Sequence, residues 1–244
     1  MTDYPVLIPS LIVFIAFFVR SLSGFGSALI SIPLLAFFFD LKFAIPMELI
    51  FEIVLSFLLI LPVWRSADLS QLGPLIVGLL LGRVLGAHLL ATSPNETLMI
   101  VLGVVVIAFS TYLIKTARKP ITVSIPAKWG IPIGIIGGVF GGLLGMSGPL
   151  VVLYLACQIE EKEKLRASLI VIFLINSVWG AILYWYNGLF SQEMLSVALV
   201  LSPAFFLATF LGYKAHYQVS ESWFRIIVSL VVMVSGVLLI MRGV

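Results

Sequence analysis

Apolar residues in this chain form long uninterrupted stretches and do not alternate with polar ones. Short polar or Gly/Pro-containing segments separate eight such stretches. The stretches cover about 5–39, 43–64, 72–91, 97–114, 129–157, 167–187, 194–213 and 223–241. About 20 apolar residues in a helix cross the roughly 30 Å hydrocarbon core of a bilayer. The pattern therefore predicts an all-α polytopic membrane protein, with the lipid bilayer as its main surrounding.

The first and fifth stretches are too long for one crossing. A single helix over 5–39 would extend about 52 Å at about 1.5 Å per residue. Both stretches contain clustered glycines, with Gly24 and Gly26 in the first and Gly145 and Gly148 in the second, where Pro149 follows. Clustered glycines end helices, and a proline favours the first position of the next helix. We therefore expect a broken helix in each of these two stretches.

The two breaks align with each other and indicate an internal repeat. An offset of 121 residues places Gly24 over Gly145 and Ser56 over Ser177, and an offset of 126 aligns the later helices. Repeated halves with a broken helix are typical of many transporters. The predicted first repeat is 1–116, with helices 43–64, 72–91 and 97–114 after the broken stretch 5–39. The linker 117–128 follows, and the second repeat is 129–244, with helices 167–187, 194–213 and 223–241 after the broken stretch 129–157.

The distribution of Lys and Arg indicates how the broken stretches cross the membrane. If each stretch crosses once, six basic residues fall on each face. If each stretch folds back as a hairpin, only Lys42 and Arg242 lie opposite the linker. The ten on the linker's face are then Arg65, Lys115, Arg118, Lys119, Lys128, Lys162, Lys164, Arg166, Lys214 and Arg225. Because cytoplasmic loops carry an excess of basic residues, we expect two inverted repeats, each a broken-helix hairpin plus three transmembrane helices, with a cytoplasmic linker.

Composition narrows the function classes. The chain is 61% hydrophobic and 10% charged, with a mean hydropathy of +1.21, whereas soluble domains carry about 25% charged residues. The net charge of +3 indicates no nucleic acid, because the basic residues lie in short loops. The chain has one cysteine, Cys157, two histidines and no His/Asp/Glu cluster at metal-ligand spacing. We expect no enzyme, no cofactor and no metal site.

The two breaks are the candidate substrate site. Hairpins entering from opposite faces would meet near the midplane, where half-helices starting near Gly26 and Ser147 present free N–H groups and positive dipole ends. An anion fits that field. The candidate substrate-binding residues are Arg20, Ser23, Gly24, Phe25, Gly26, Ser27, Gly145, Met146, Ser147, Gly148 and Asn176.

The charged residues inside the apolar stretches have structural and functional interpretations. Arg20 precedes the first break by one turn, and its guanidinium suits an oxyanion, but it could equally pair with Glu48 or Glu52. These two acids share one helix face at i, i+4 spacing. Either Arg20 and Arg83 neutralise them, or one acid takes up a proton as the coupling ion, while Glu48 also lies near enough to its segment start to be interfacial.

Two further patterns have mainly structural interpretations. Gly82 and Gly86 flank Arg83 at small-xxx-small spacing, which predicts close helix packing. Aromatic residues cluster at segment ends and are interpreted as an interfacial belt. The belt residues are Trp64, Trp129, Tyr184, Trp185, Tyr186, Tyr217 and Trp223.

Both breaks have a recognisable form. Ser23–Ala28 with Pro33, and Gly141–Leu150, in a duplicated chain of this length, resemble the breaks of the sulfite exporter TauE/SafE family. The resemblance implies a secondary transporter of the cell (inner) membrane that exports small sulfur-containing anions such as sulfite, sulfoacetate or another organosulfonate. A passive anion channel, a permease subunit and a membrane-embedded enzyme are the alternatives. Substrate identity, coupling ion, direction and oligomeric state stay open at this point.

Overall fold

A computed structural model describes residues 6–23, 26–67, 72–116, 125–215 and 221–243. In these ranges the chain forms α-helices, two short 3-10 turns and no strand, so the all-helical class is confirmed. The helices are α1 (Leu7–Ser23), α2 (Ser27–Leu35), α3 (Leu41–Val63), α4 (Gly73–Thr92), α5 (Asn95–Thr116), α6 (Gly130–Leu144), α7 (Gly148–Ala156), α8 (Lys162–Tyr186), α9 (Gln192–Ala215) and α10 (Glu221–Gly243).

Several helices have the length and apolarity that a bilayer requires. Within the described residues, five apolar segments of at least 18 residues could each cross a membrane. They are Leu41–Leu61, Gly73–Thr92, Asn95–Tyr112, Glu163–Tyr186 and Gln192–Lys214. Large apolar side chains point outward from them, with Leu61 82% and Leu199 73% exposed. Lipid is the environment in which that exposure carries no cost.

Helix bounds differ from the hydrophobic pattern mainly where helix ends are polar. The helix expected to begin at 167 begins at Lys162, because the charged run up to Arg166 forms its first turns. The helix expected to begin at 97 begins at Asn95. Charged and amide side chains at helix ends lie outside the hydrocarbon core, so apolarity alone does not detect them.

A glycine in the left-handed region interrupts each of the two long stretches. Gly26 has φ +99° and Gly145 has φ +70°, a backbone conformation that only glycine adopts without strain. After α6, the N–H groups of Gly145 and Met146 both reach the carbonyl oxygen of Phe140, which closes the helix. Pro149 then lies in the first turn of α7. Gly24 and Phe25 lie outside the described residues.

Helix bounds recur along the chain at fixed offsets. Helices α1 and α6 end 121 residues apart, at Ser23 and Leu144. Helices α2 and α7 are both nine residues long and also begin 121 residues apart, as do α3 and α8. Helices α5 and α10 begin 126 residues apart. The breaks thus fall at matching places in the two halves.

The described residues divide into two compact units that each draw on both halves of the chain. The first unit lies within Met1–Glu48, Ser93–Pro120 and Phe190–Val244 and contains α1, α2, the start of α3, α5, α9 and α10. The second lies within Leu49–Thr92 and Ile121–Leu189 and contains the rest of α3, α4, α6, α7 and α8.

In the first unit, α1 packs on α9, and α10 packs on both α5 and α2. The rings of Phe17 and Phe205 meet edge to face at 4.9 Å between α1 and α9. Arg242 in the last turn of α10 donates hydrogen bonds to the carbonyl oxygens of Ala36 and Phe37, at 3.2 and 3.1 Å. A cation on these carbonyls satisfies the C-terminal end of α2, where a helix lacks internal donors.

In the second unit, α4 and α6 meet backbone to backbone. Glycines recur every fourth residue on both helices. A Cβ atom on any of these glycines would overlap the backbone of the facing helix. The spacing of Gly82 and Gly86 predicts this close approach, and the structure confirms it. The facing glycines are Gly78, Gly82 and Gly86 on α4, and Gly134, Gly138 and Gly142 on α6.

A corresponding crossing occurs in the first unit. A Cβ on Gly86 of α4 would meet the carbonyl oxygen of Val139, and a Cβ on Gly212 of α9 would meet that of Phe18. Gly86 and Gly212 are 126 residues apart, and Phe18 and Val139 are 121 apart. The same contact is therefore made once in each unit, by residues that the two offsets relate.

The glycine contact predicts a sharp difference between two neighbouring substitutions on α6. Gly138→Ala places a methyl group against the carbonyl oxygen of Leu79 and the backbone nitrogen of Arg83, whereas the methyl group of Gly137→Ala meets side-chain atoms at ordinary contact distances, the nearest being that of Leu79 at 3.4 Å. Overpacking costs about 1–3 kcal/mol. We expect the melting temperature of purified Gly138→Ala to fall and that of Gly137→Ala to stay near wild type. Equal melting temperatures for the two variants would contradict the contact.

Candidate functional site

The first break places a carboxylate at the start of a helix. Gly26 precedes α2 without a side-chain cap. The hydroxyl of Ser27, the first residue of α2, donates a 2.7 Å hydrogen bond to Oε1 of Glu48. The positive end of α2 favours that negative charge. An acid therefore already lies where the sequence places an anionic substrate.

Burial changes the interpretation of the charged residues around this break. Glu48 is 2% exposed, so its side chain is enclosed by protein. Arg20 lies in the last turn of α1 and is 5% exposed. Glu52, one turn further along α3, is 7% exposed and falls in the second unit. The side chain of Ser23 lies outside what the structure describes.

The second break combines a helix start with two polar side chains. Ser147 precedes α7, and no side chain caps the first turn of that helix. The amide nitrogen of Asn176 on α8 donates a 3.1 Å hydrogen bond to the hydroxyl oxygen of Ser147. The amide oxygen of Asn176 is buried with no hydrogen-bond partner in the described residues. The structure thus joins Ser147 and Asn176, which the sequence proposed separately as ligands.

Small and apolar residues complete the surroundings of this break. A Cβ on Gly141 would lie 3.0 Å from Ser147 and 3.5 Å from the amide nitrogen of Asn176, so the glycine leaves room for that pair. Met146 is 1% exposed. Gly148 lies near the ring of Phe173. The polar groups are therefore held in a largely apolar wall, where their hydrogen bonds are strong.

Arg83 lies deep in the second unit, on α4. It is 2% exposed, and its guanidinium carbon lies 5.7 Å from the ring centre of Tyr184 on α8. A side chain on Gly180 would overlap the guanidinium, so the absence of a side chain there makes space for it. The Nε atom of Arg83 is buried without a hydrogen-bond partner among the described residues.

The position of Tyr184 differs from the one expected from the sequence. The sequence assigns it to an interfacial aromatic belt, but its side chain is fully buried. Its hydroxyl donates to the carbonyl oxygen of Gly142 at 2.8 Å, with that of Gly141 at 3.3 Å. The belt interpretation is therefore wrong for Tyr184. Its neighbours Trp185 and Tyr186 are 78% and 87% exposed, as a belt requires.

One face of α8 organises these groups. Asn176, Gly180 and Tyr184 follow each other at intervals of four residues, so they share a face. This face contacts the break through Asn176, Arg83 through Gly180 and the end of α6 through Tyr184. The i, i+4, i+8 spacing of an amide, a glycine and a tyrosine in an apolar helix is the signal that sequence reasoning missed.

Comparisons with known proteins identify the family. The family model described as Sulfite exporter TauE/SafE matches residues 10–239, both breaks included. A curated relative, the "Probable sulfite/organosulfonate exporter TauE" of Cupriavidus necator, is 24% identical over 153 residues, which are 62% of this chain. The match spans 58% of that relative's length. No solved structure matches the chain. Because the family model covers nearly the whole chain, this multi-pass protein of the cell membrane belongs to the TauE/SafE sulfite exporter family, a family of transporters.

Proposed function

We propose that the protein is a secondary transporter that exports a small sulfur-containing anion, sulfite or a short organosulfonate such as sulfoacetate. The observation that carries the proposal is the pair of helix starts at the breaks, each without a side-chain cap and each beside a buried serine, Ser27 or Ser147. Family membership and the name of the curated relative support a sulfur anion as the substrate.

Physical chemistry favours an anion at such a helix start. The first N–H groups of a helix have no internal acceptor, and lipid offers none. An oxyanion accepts several of these N–H groups at once and interacts with the positive end of the helix dipole. The hydroxyl of Ser147, which accepts the hydrogen bond from Asn176, keeps its own proton for such a ligand.

We further propose that the two halves are inverted repeats, each a broken-helix hairpin and three spanning helices. The recurring helix bounds and the repeated glycine contacts of Gly86 and Gly212 support a duplication. The ten-to-two distribution of basic residues supports inversion, because basic loops stay in the cytoplasm.

Glu48 is our candidate for coupling transport to protons. Its carboxylate lies on Ser27 at the start of α2, so its negative charge opposes an anion there. Protonation of Glu48 would remove that repulsion, and proton and anion binding would then favour each other. Glu52, the other acid on this face of α3, is the alternative proton carrier.

Topology is tested with single cysteines in a Cys157→Ser background. The inverted arrangement places Lys128→Cys and Glu161→Cys both inside, and Gly243→Cys outside. A membrane-impermeant thiol reagent should then label Gly243→Cys on intact cells and the other two only after permeabilisation. Labelling of Lys128→Cys and Glu161→Cys from opposite faces would show that the second broken stretch crosses the membrane.

Transport is tested with purified protein in proteoliposomes. We expect saturable sulfite flux that methanesulfonate inhibits and organic cations do not, with acceleration by a proton gradient. Glu48→Gln should keep sulfite flux down a sulfite gradient but lose the acceleration, and Glu52→Gln should retain it. Flux insensitive to any ion gradient in the wild type indicates a channel, and saturable cation transport with sulfite inert would refute the proposal.

Substitutions of Arg20 distinguish between two roles of this residue, contact with the anion and a structural ion pair. If its guanidinium contacts the anion, Arg20→Lys should raise the apparent KM for sulfite several-fold, and Arg20→Ala should abolish flux without lowering the melting temperature. A structural pair predicts the opposite for stability, since removing one member of a buried ion pair costs about 3–5 kcal/mol. Full transport by a stably folded Arg20→Ala protein would remove Arg20 from the site.

A further inference from the structure

We propose that Arg83 forms an anion subsite of its own, inside the second unit, that binds the oxyanion group of the substrate. The subsite consists of the Arg83 guanidinium, the space above Gly180 and the ring of Tyr184. This inference rests on the proposed function for the identity of the anion, a sulfite or sulfonate group. The site itself rests on the geometry of α4, α6 and α8.

The first argument is the uncompensated charge of Arg83. The residue is 2% exposed and lies within the membrane-spanning segment Gly73–Thr92. In the part of the chain that the structure describes, its interaction is the cation–π contact with Tyr184, and its Nε has no hydrogen-bond acceptor. A buried charge in a membrane helix is costly and usually marks an ion or substrate site. An anion supplies both the missing charge and the missing acceptors.

The second argument is the rigidity of the surroundings. The hydroxyl of Tyr184 is hydrogen-bonded to the carbonyl oxygens at the end of α6, which holds the ring in place. The backbone of Arg83 contacts α6, because a Cβ on Gly138 would lie 2.8 Å from the Arg83 nitrogen. The guanidinium is thus positioned before any ligand arrives. A preorganised planar fork is suited to bidentate binding of an oxyanion.

The third argument is the position of further unpartnered polar groups on α8. The hydroxyl of Ser177 is buried without a partner among the described residues, and it precedes Gly180 by three residues, which is about one turn. Asn176, the residue before Ser177 and four residues before Gly180, is hydrogen-bonded to Ser147 at the start of α7. One face of α8 therefore connects the Arg83 subsite with the second break.

The repeat lacks a second copy of this subsite. The position 126 residues after Arg83 is Thr209 on α9, an 8% exposed residue in the first unit. A threonine offers no positive charge, so the corresponding position of α9 cannot form this subsite. Thr209 is consequently a matched control position, buried in a corresponding helix and outside the proposed site.

Thermal stability of the purified full-length protein tests the subsite with sulfite, methanesulfonate and chloride as probes. We expect sulfite and methanesulfonate to raise the wild-type melting temperature, with chloride weaker because it lacks bidentate oxygens. Arg83→Gln should lose this rise while its ligand-free melting temperature equals or exceeds that of the wild type. Removing an arginine that has no acidic partner leaves no uncompensated charge behind. Removing an arginine from a buried ion pair leaves its acidic partner uncompensated, which is destabilising. Thr209→Val should respond as the wild type does.

A second variant, Gly180→Ala, keeps the positive charge of Arg83 but displaces its guanidinium. Gly180→Ala places a methyl group where the guanidinium lies, so the side chain of Arg83 must shift. We expect the apparent Kd for sulfite to rise at least tenfold in Gly180→Ala and to stay unchanged in Gly73→Ala, where a Cβ meets nothing within 4 Å. Arg83→Lys should raise it several-fold. If Arg83→Gln does not fold, the comparison of Gly180→Ala with Gly73→Ala tests whether the Arg83 subsite binds sulfite.

The outcomes separate the subsite from the transport function. Wild-type sulfite affinity in Arg83→Gln or in Gly180→Ala overturns the subsite, even if sulfite flux is intact. An Arg83→Gln protein that folds but, without ligand, melts well below wild type also overturns it, because the charge was then already paired. Sulfite binding that depends on Arg83, without flux in proteoliposomes, supports the subsite and overturns the transport proposal.

Discussion

Lipid supplies no hydrogen bonds, and the rest of this structure depends on that constraint. A broken helix at membrane depth must find partners for its free backbone groups within the protein. At the second break, Gly145 and Met146 return their N–H groups to Phe140, and after α2 Arg242 supplies donors to the carbonyl groups. At the helix starts of the two breaks no side chain takes this role. They are therefore the places where a ligand can.

Hydrophobic pattern and glycine clustering predicted much of the fold. The helical class follows from uninterrupted apolar stretches, and both breaks follow from stretches too long for one crossing. Polar helix ends such as Lys162–Arg166 escaped the pattern, because apolarity does not mark them. The two compact units could not be predicted either. Which helices belong to each unit depends on which helices face each other, as α4 faces α6. The glycines of α6 were ambiguous in sequence, because clustered glycines indicate either a helix break or close helix packing.

The candidate site was predicted less completely, for a physical reason. Ser147 and Asn176 were selected as polar residues at a break, and the structure joins them. Tyr184 was misinterpreted because it lies near a segment end in sequence, and proximity to an end normally indicates the membrane interface. Its burial depends on neighbouring helices that sequence position does not reveal. A polar residue near a helix end is thus ambiguous until its packing partner is known.

The composition of the two units has a consequence for the order of synthesis. Helix α1 packs on α9 and α2 packs on α10. The first helices of the chain therefore pack against helices that are synthesised last. The second unit needs only residues up to Leu189 and can assemble sooner, once α6 reaches the glycine face of α4. Until α9 and α10 emerge, α1 and α2 lack these packing partners. A chain truncated after α8 should therefore retain the α4–α6 contact while leaving the first unit unassembled.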